Sequence, residues 1–261
     1  SLPEMTSDEA IETRAIQSIA GVRGGDKTLG LEKQRPFQAP HHSATLVSLI
    51  GGGVTFPRPG LVSLSNHGVL FLDEAPEFSR GFLEALRQPL ESGEVLINRS
   101  AGYARFPARF QLVLAANPCP CGNKGNKQKE CICKPSDLDR YKRKLSGPIM
   151  DRIYIWVTVG NVDYEKLSSE TQEGDKTNTI RERVKQARNI QEKRFKNSQR
   201  KINTNSEINV KELNIYAPLD NETKKLLNQS AERLQLSARA YHRTIKLART
   251  IADLEGSENI A

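Results

Sequence analysis

Gly68-Val69-Leu70-Phe71-Leu72-Asp73-Glu74 is an unbroken apolar run opened by glycine and closed by two adjacent carboxylates. A run without polar alternation predicts a strand buried on both faces, the pattern of a parallel sheet. The carboxyl ends of such strands are where open α/β sheets place ligands. Working outward, a helix is predicted from about Arg80 to Glu91. Val95–Arg99 and Ala104–Phe106 flank Ser100-Ala101-Gly102-Tyr103, which reads as a hairpin with its glycine in the turn. Two more apolar runs, Phe110–Ala116 and Ile153–Val157, predict further buried strands. Upstream, apolar positions from Ala10 to Ile19 recur at helical spacing after Ser7-Asp8, a capping pair. Arg35–Pro40 reads as extended, because proline removes a donor and disfavours helix before it. From about residue 178 the pattern is helical, in segments centred on Ile180–Ala187, Leu226–Leu234 and Ala240–Ile251. The predicted fold class is therefore α/β. A parallel-sheet core with hairpin inserts and a cysteine-rich loop at 117–135 spans residues 1–165, and a smaller helical lid spans 166–261.

At 261 residues and 37% hydrophobic, the chain is long enough to bury a sizeable core. Its apolar runs are too short to cross a bilayer as a helix, and its start lacks the features of a signal peptide, so no membrane partner and a cytoplasmic setting are expected. The net charge is +8, and residues 181–201 hold nine Lys/Arg against Glu182 and Glu192. Such an excess suits a polyanion such as DNA, through counterion release, and equally suits a solvated helix face.

Asp73 and Glu74 taken alone also fit two solvated acids at a strand end. The next strand argues for more: Gln111–Ala116 ends in Asn117, which carries a polar amide to the same edge of the sheet. All four cysteines fall in two C-x-C pairs, Cys119/Cys121 and Cys131/Cys133. Sulfurs at i and i+2 of an extended segment face one side, so two pairs can converge on a tetrahedral zinc site of four thiolates. Free thiols remain an alternative, and disulfides fit a cytosolic setting poorly. Zn²⁺ there would be structural, and would fix the loop just after Asn117. His41-His42 is not expected to bind metal, since adjacent side chains of an extended segment point to opposite faces.

Six strings in order, Pro40-His41-His42-Ser43, Pro57-Arg58-Pro59-Gly60, Gly68–Glu74, Arg87-Gln88-Pro89-Leu90-Glu91, Asn117-Pro118-Cys119-Pro120-Cys121-Gly122 and Leu236–Arg243, resemble the YifB/ComM group of magnesium-chelatase-like AAA+ ATPases over almost the whole chain. The resemblance implies an ATP-driven homo-hexameric ring acting on DNA, its best-studied members being branch-migration helicases of natural transformation. In such motors Asp73 and Glu74 match the Walker B carboxylates, with Asp73 helping to hold Mg²⁺ and Glu74 polarising the attacking water. Asn117 matches the amide that senses the γ-phosphate. Arg152 resembles the arginine finger, with a local ion pair to Asp151 as the other reading, and Arg239 matches the lid's ATP-binding arginine, with Arg243 as fallback. The hairpin around Gly102 corresponds to one that enters the central pore. Arg99, Arg105 and Arg109 are then phosphate contacts and Tyr103 a base-stacking residue, unless the hairpin is an ordinary surface one. Pro59–Gly68 is a second candidate pore insert. The Gly-Lys-Ser/Thr phosphate loop, its strand and the group's Lon-protease-like domain are not found, since Gly21–Thr28 has the wrong glycine spacing. The lid is expected to be cut short at its end. The expectation is thus a segment truncated at both ends and inactive alone. Alternatives are a non-hydrolysing DNA-binding or assembly module, and a magnesium-chelatase-type ATPase subunit.

Overall fold

The structure is a computed structural model that describes residues 2–22, 32–53, 56–99, 102–126, 128–145, 147–160 and 174–260. Two compact units divide after Ile153. The division expected near 165 falls within 161–173, outside the described residues.

In the first unit, three parallel strands form the sheet in the order β1 (Phe37–Gln38), β4 (Val69–Leu72), β7 (Gln111–Leu114). Leu72 of β4 lies opposite Leu114 of β7, so both strands end at one edge. The short strands β2 (Gly51–Gly52) and β3 (Arg58–Pro59) pair antiparallel. So do β5 (Glu94–Arg99) and β6 (Gly102–Pro107), the expected hairpin. Gly102 opens the return strand opposite Arg99 at φ +140, and residues 100 and 101 lie outside the described residues.

Only one face of β4 is fully buried, contrary to the two-faced burial expected. Leu70 and Leu72 are completely enclosed by Phe78, Phe82, Leu83, Leu86 and Ile149. On the other face Phe71 stacks on Phe37, which is 62% exposed. The third strand of the sheet is β1, in the segment read only as extended. Ile153–Val157, expected as a buried strand, carries no strand pairing, and Trp156 and Val157 are 60% and 77% exposed. Hydropathy alone marks that run as a strand, but a strand also needs a pairing partner, and none of the described strands pairs with it.

Helix α1 (Ser7–Ala20) covers the expected residues 7–20, but its cap is not the expected Ser7-Asp8. Its cap is Thr6, in a capping box with Glu9, and the carboxylate of Glu9 also accepts from Arg35 at 3.0 Å. Short helices α2 (Leu46–Ile50) and α3 (Leu61–Leu64) follow. The helix expected over 80–91 is two pieces, α4 (Arg80–Ala85) and α5 (Arg87–Ser92). Pro89 explains the break: it has no N–H for the carbonyl of Ala85. The candidate pore insert Pro59–Gly68 is a correction: Val62, Ser63, Ser65 and Asn66 are fully buried, so this segment packs rather than projects. The glycine-rich 21–28 stretch lies largely outside the described residues, and Gly21 itself caps α1 in the left-handed conformation. Helices α6 (Pro135–Lys144) and α7 (Gly147–Met150) close the unit.

Where β1 meets β4 the backbones leave no room for a side chain. A Cβ on Gly68 would lie 2.0 Å from the carbonyl oxygen of Pro36, which accepts the N–H of Val69 at 2.8 Å. Gly68→Ala is therefore expected to cost about 1–3 kcal/mol, the range for overpacking. An unchanged midpoint in urea unfolding would contradict this close approach.

The second unit is helical, as expected: α8 (Thr177–Phe195), α9 (Leu213–Tyr216), α10 (Asn221–Arg233) and α11 (Ala238–Glu255). Phe195, Ile202, Ile208, Leu213 and Ile245 form its core. Beside them is a polar centre. The carboxylate of Asp253, fully buried, accepts from Arg194, Arg249, Asn205 and Gln191. Burial alone would raise its pKa, but these donors, Arg194 foremost, hold it below the usual carboxylate range. The basic run of 181–201 is thus divided in role, for Arg194 serves this centre and Arg200 pairs with Glu212 at 3.0 Å. Among the described residues no helix is long and apolar enough to cross a membrane.

Candidate active site

Because β1, β4 and β7 are parallel, the residues after each strand meet one edge of the sheet. After β4 come Asp73 and Glu74, both exposed. Glu74 adopts the left-handed conformation at φ 49, and its N–H donates to Oδ1 of Asp73 at 2.9 Å. A non-glycine residue held there is the kind of local strain that functional turns carry. The N–H of Ala75 donates to the carbonyl of Ala115 at 2.9 Å, which ties this turn to the residues just after β7. Asn117, two residues further on, is exposed, and its carbonyl accepts the hydroxyl of Tyr141 at 3.1 Å. After β1 come His41 and His42.

His42 is the site residue that sequence reasoning missed. Its Nδ1 lies 3.4 Å from Oε2 of Glu74. The expected opposite-facing arrangement of the two histidines is also corrected. Their rings sit 4.0 Å apart, because the N–H of Ala44 bonds to the carbonyl of His41 and closes a turn in place of an extended segment. No pattern in the sequence links His42 to Glu74, 32 positions away; only the parallel pairing of β1 with β4 does so.

Arg152 is only 10% exposed, and its guanidinium bonds Glu91 at 2.5 Å, so among the described ion pairs it joins Glu91 in place of the expected Asp151. In the second unit Ser237 caps α11 as expected, accepting from the N–H of Ala240 at 3.2 Å. Arg239 is exposed in the first turn, and Arg243 lies over the ring of Tyr154, 5.4 Å from its centroid.

On the hairpin, Tyr103 is 80% exposed beside the turn. Arg105 reaches diagonally across the strand pair to Glu94 at 2.6 Å. Arg109 lies past the end of β6, at the hairpin's base, with its backbone N–H donating to Asn66. Arg99 ends β5, but its side chain lies outside the described residues.

The two C-x-C pairs converge. The four sulfurs of Cys119, Cys121, Cys131 and Cys133 lie within 4.8 Å of one another, with 3.4 Å between Cys119 and Cys121 and 3.7 Å from each of these to Cys131. Such a group can hold a metal ion. The backbone N–H of Asn123 lowers the Cys121 thiol to about 6. Cys133 is pushed up to about 12, since the lowering effect of the Cys121 backbone is outweighed by burial and the neighbouring sulfurs.

Residues 1–167 match the family described as magnesium chelatase, subunit ChlI, and residues 174–261 match its C-terminal counterpart. The chain is 43% identical over 259 residues to the competence protein ComM of Haemophilus influenzae, covering 99% of this chain and 48% of that protein. It is 40% identical over 260 residues to the uncharacterized protein YifB of Escherichia coli, covering 99% and 49%. A magnesium-chelatase 38 kDa subunit of Cereibacter sphaeroides is 32% identical over 84 residues, covering 32% of this chain and 22% of that protein. The chain spans about half the length of ComM and YifB. With matches of this extent, it belongs to the magnesium-chelatase-like family that includes ComM and YifB.

Proposed function

We propose that this chain is the catalytic part of an AAA+-type ATPase that couples ATP hydrolysis to movement on DNA. The observation that carries the reading is the shared sheet edge, where two parallel strands end in Asp73-Glu74 and in the segment leading to Asn117. Asp73 holds Mg²⁺ through water, Glu74 takes the proton of the attacking water, and Asn117 orients that water toward the γ-phosphate. ATP would supply the phosphoryl group, and a Mg²⁺ held by Asp73 would neutralise its charge. Arg239, or Arg243 in its place, would contact the nucleotide from the lid. Arg152 stabilises the transition state across a homo-hexamer interface after leaving Glu91, an effect worth roughly 10³ to 10⁵ in rate in related enzymes. Zinc is the metal that suits the four thiolates, because a tetrahedral site with Zn–S of about 2.3 Å places sulfurs about 3.8 Å apart, close to the separations here.

DNA as substrate, with branch migration as the proposed form of movement, is supported by the basic balance, the exposed Tyr103 and the likeness to a protein named for competence. Tyr103→Ala in the full-length protein is expected to weaken single-stranded DNA binding by about 1–3 kcal/mol while leaving ATP binding intact. Unchanged affinity in a salt titration of the variant would remove the hairpin from the DNA path. A magnesium-chelatase-type role is favoured only by the match over 84 residues. Full-length protein that binds neither single-stranded nor branched DNA at low salt would decide for that role over the helicase one.

A further inference from the structure

Residues 117–134 contain no helix or strand among those described, and Cys119 alone among them is fully buried. A loop of that length without a core of its own has little with which to offset the entropy of ordering. Yet it lies between two parts of the catalytic edge. On one side is Asn117, three residues past β7. On the other is α6, whose Tyr141 donates to the carbonyl of Asn117 at 3.1 Å and whose Lys144 donates to Glu77 at 3.0 Å, three residues past Glu74. The concentrated tie among the loop's described residues is the cysteine cluster. Its geometry is built for an ion: Gly122 turns in the left-handed conformation, its N–H donates to the carbonyl of Cys119 at 3.0 Å, and the N–H of Lys124 donates to Sγ of Cys119 at 3.3 Å. Backbone N–H groups aimed at a ligand sulfur are typical of the outer shell of a metal site.

We propose that one zinc ion held by Cys119, Cys121, Cys131 and Cys133 is the clasp that fixes Asn117 and brings Tyr141 of α6 onto it, so that metal occupancy sets the rate of hydrolysis without the metal touching the nucleotide. This rests on the hydrolytic reading of Asn117. Tyr141 is then a positioning residue. Neither it nor the ion takes part in phosphoryl transfer.

The test uses the full-length protein, its metal content, amide hydrogen exchange and steady-state ATP turnover. One zinc per chain is expected. Cys131→Ser with Cys133→Ser is expected to abolish the zinc and speed exchange across 117–144 at least about tenfold, while β4 keeps its protection. In the same variant kcat falls at least about tenfold, with KM for ATP little changed. Tyr141→Phe, which leaves all four sulfurs, is expected to keep the zinc and still lower kcat. Wild-type protein without zinc, or a zinc-free variant with unaltered exchange, overturns the clasp. Lost zinc and faster exchange with unaltered kcat overturn its link to hydrolysis. If the wild type turns over no ATP, the hydrolytic reading falls and the link with it, while metal content and exchange still decide the clasp.

Discussion

Full-length protein carrying Glu74→Gln is expected to bind ATP as tightly as the wild type and to hydrolyse it about 10²- to 10⁴-fold more slowly, the range for losing a general base. Glutamine keeps the size and polarity of the side chain, so the left-handed turn at φ 49 and its tie to Asp73 through the backbone remain. What is lost is an acceptor for the proton of water. A fall in kcat with an unaltered KM marks an interaction made only in the transition state. Phosphate release under single-turnover conditions measures the step directly. Undiminished hydrolysis would mean that the base lies elsewhere on the edge, with His42, 3.4 Å from the Glu74 carboxylate, as the next residue to examine.

Asp253→Ala is expected to destabilise the C-terminal unit by about 3–5 kcal/mol, the cost of breaking a buried pair from one side. Arg249, 3% exposed, would be left with its carbonyl acceptors at Ser257 and Glu258 but without a countercharge. Arg194, which joins α8 to α11 through this carboxylate, would lose its strongest partner. Asp253→Asn keeps one acceptor oxygen and should cost less. The pH dependence follows from the sign of the shift. A carboxylate whose folded pKa is depressed adds stability that is fully present above its unfolded pKa, about 3.9, and is lost as pH falls through the lower folded value. Urea unfolding of wild type and variant at about pH 7 should thus differ widely, and the gap should close only in strong acid. A variant as stable as wild type at neutral pH would show that the network is dispensable.

Much of the first unit is legible in the sequence because its elements carry local marks. The apolar run before Asp73 ends sharply in charge, and the hairpin is marked by a glycine-containing turn between two short strand-forming segments. What escapes is whatever depends on partners. Phe37–Gln38 is too short to show a strand pattern, yet it pairs with Val69 and Leu70 because that edge of β4 is free. Ile153–Val157 has the composition of a strand and no pairing. The break before Arg87 follows from Pro89, a proline visible in the sequence that the expected helix over 80–91 runs through. Among the proposed site residues, the convergence of the four sulfurs is readable from C-x-C spacing. The bond between Arg152 and Glu91, the approach of His42 to Glu74 and the reach of Arg194, Asn205 and Gln191 to Asp253 are not, since each joins residues far apart in sequence through the packing of whole elements.

The central claim is that the edge formed by Asp73, Glu74 and Asn117 hydrolyses ATP to drive movement on DNA. The most direct measurement is Mg²⁺-dependent phosphate release by the full-length wild-type protein, with and without single-stranded DNA. The expected result is turnover that requires Mg²⁺, rises when DNA is added and is abolished by Asp73→Ala. Absence of hydrolysis in the wild type, or hydrolysis that survives Asp73→Ala unchanged, would contradict the account.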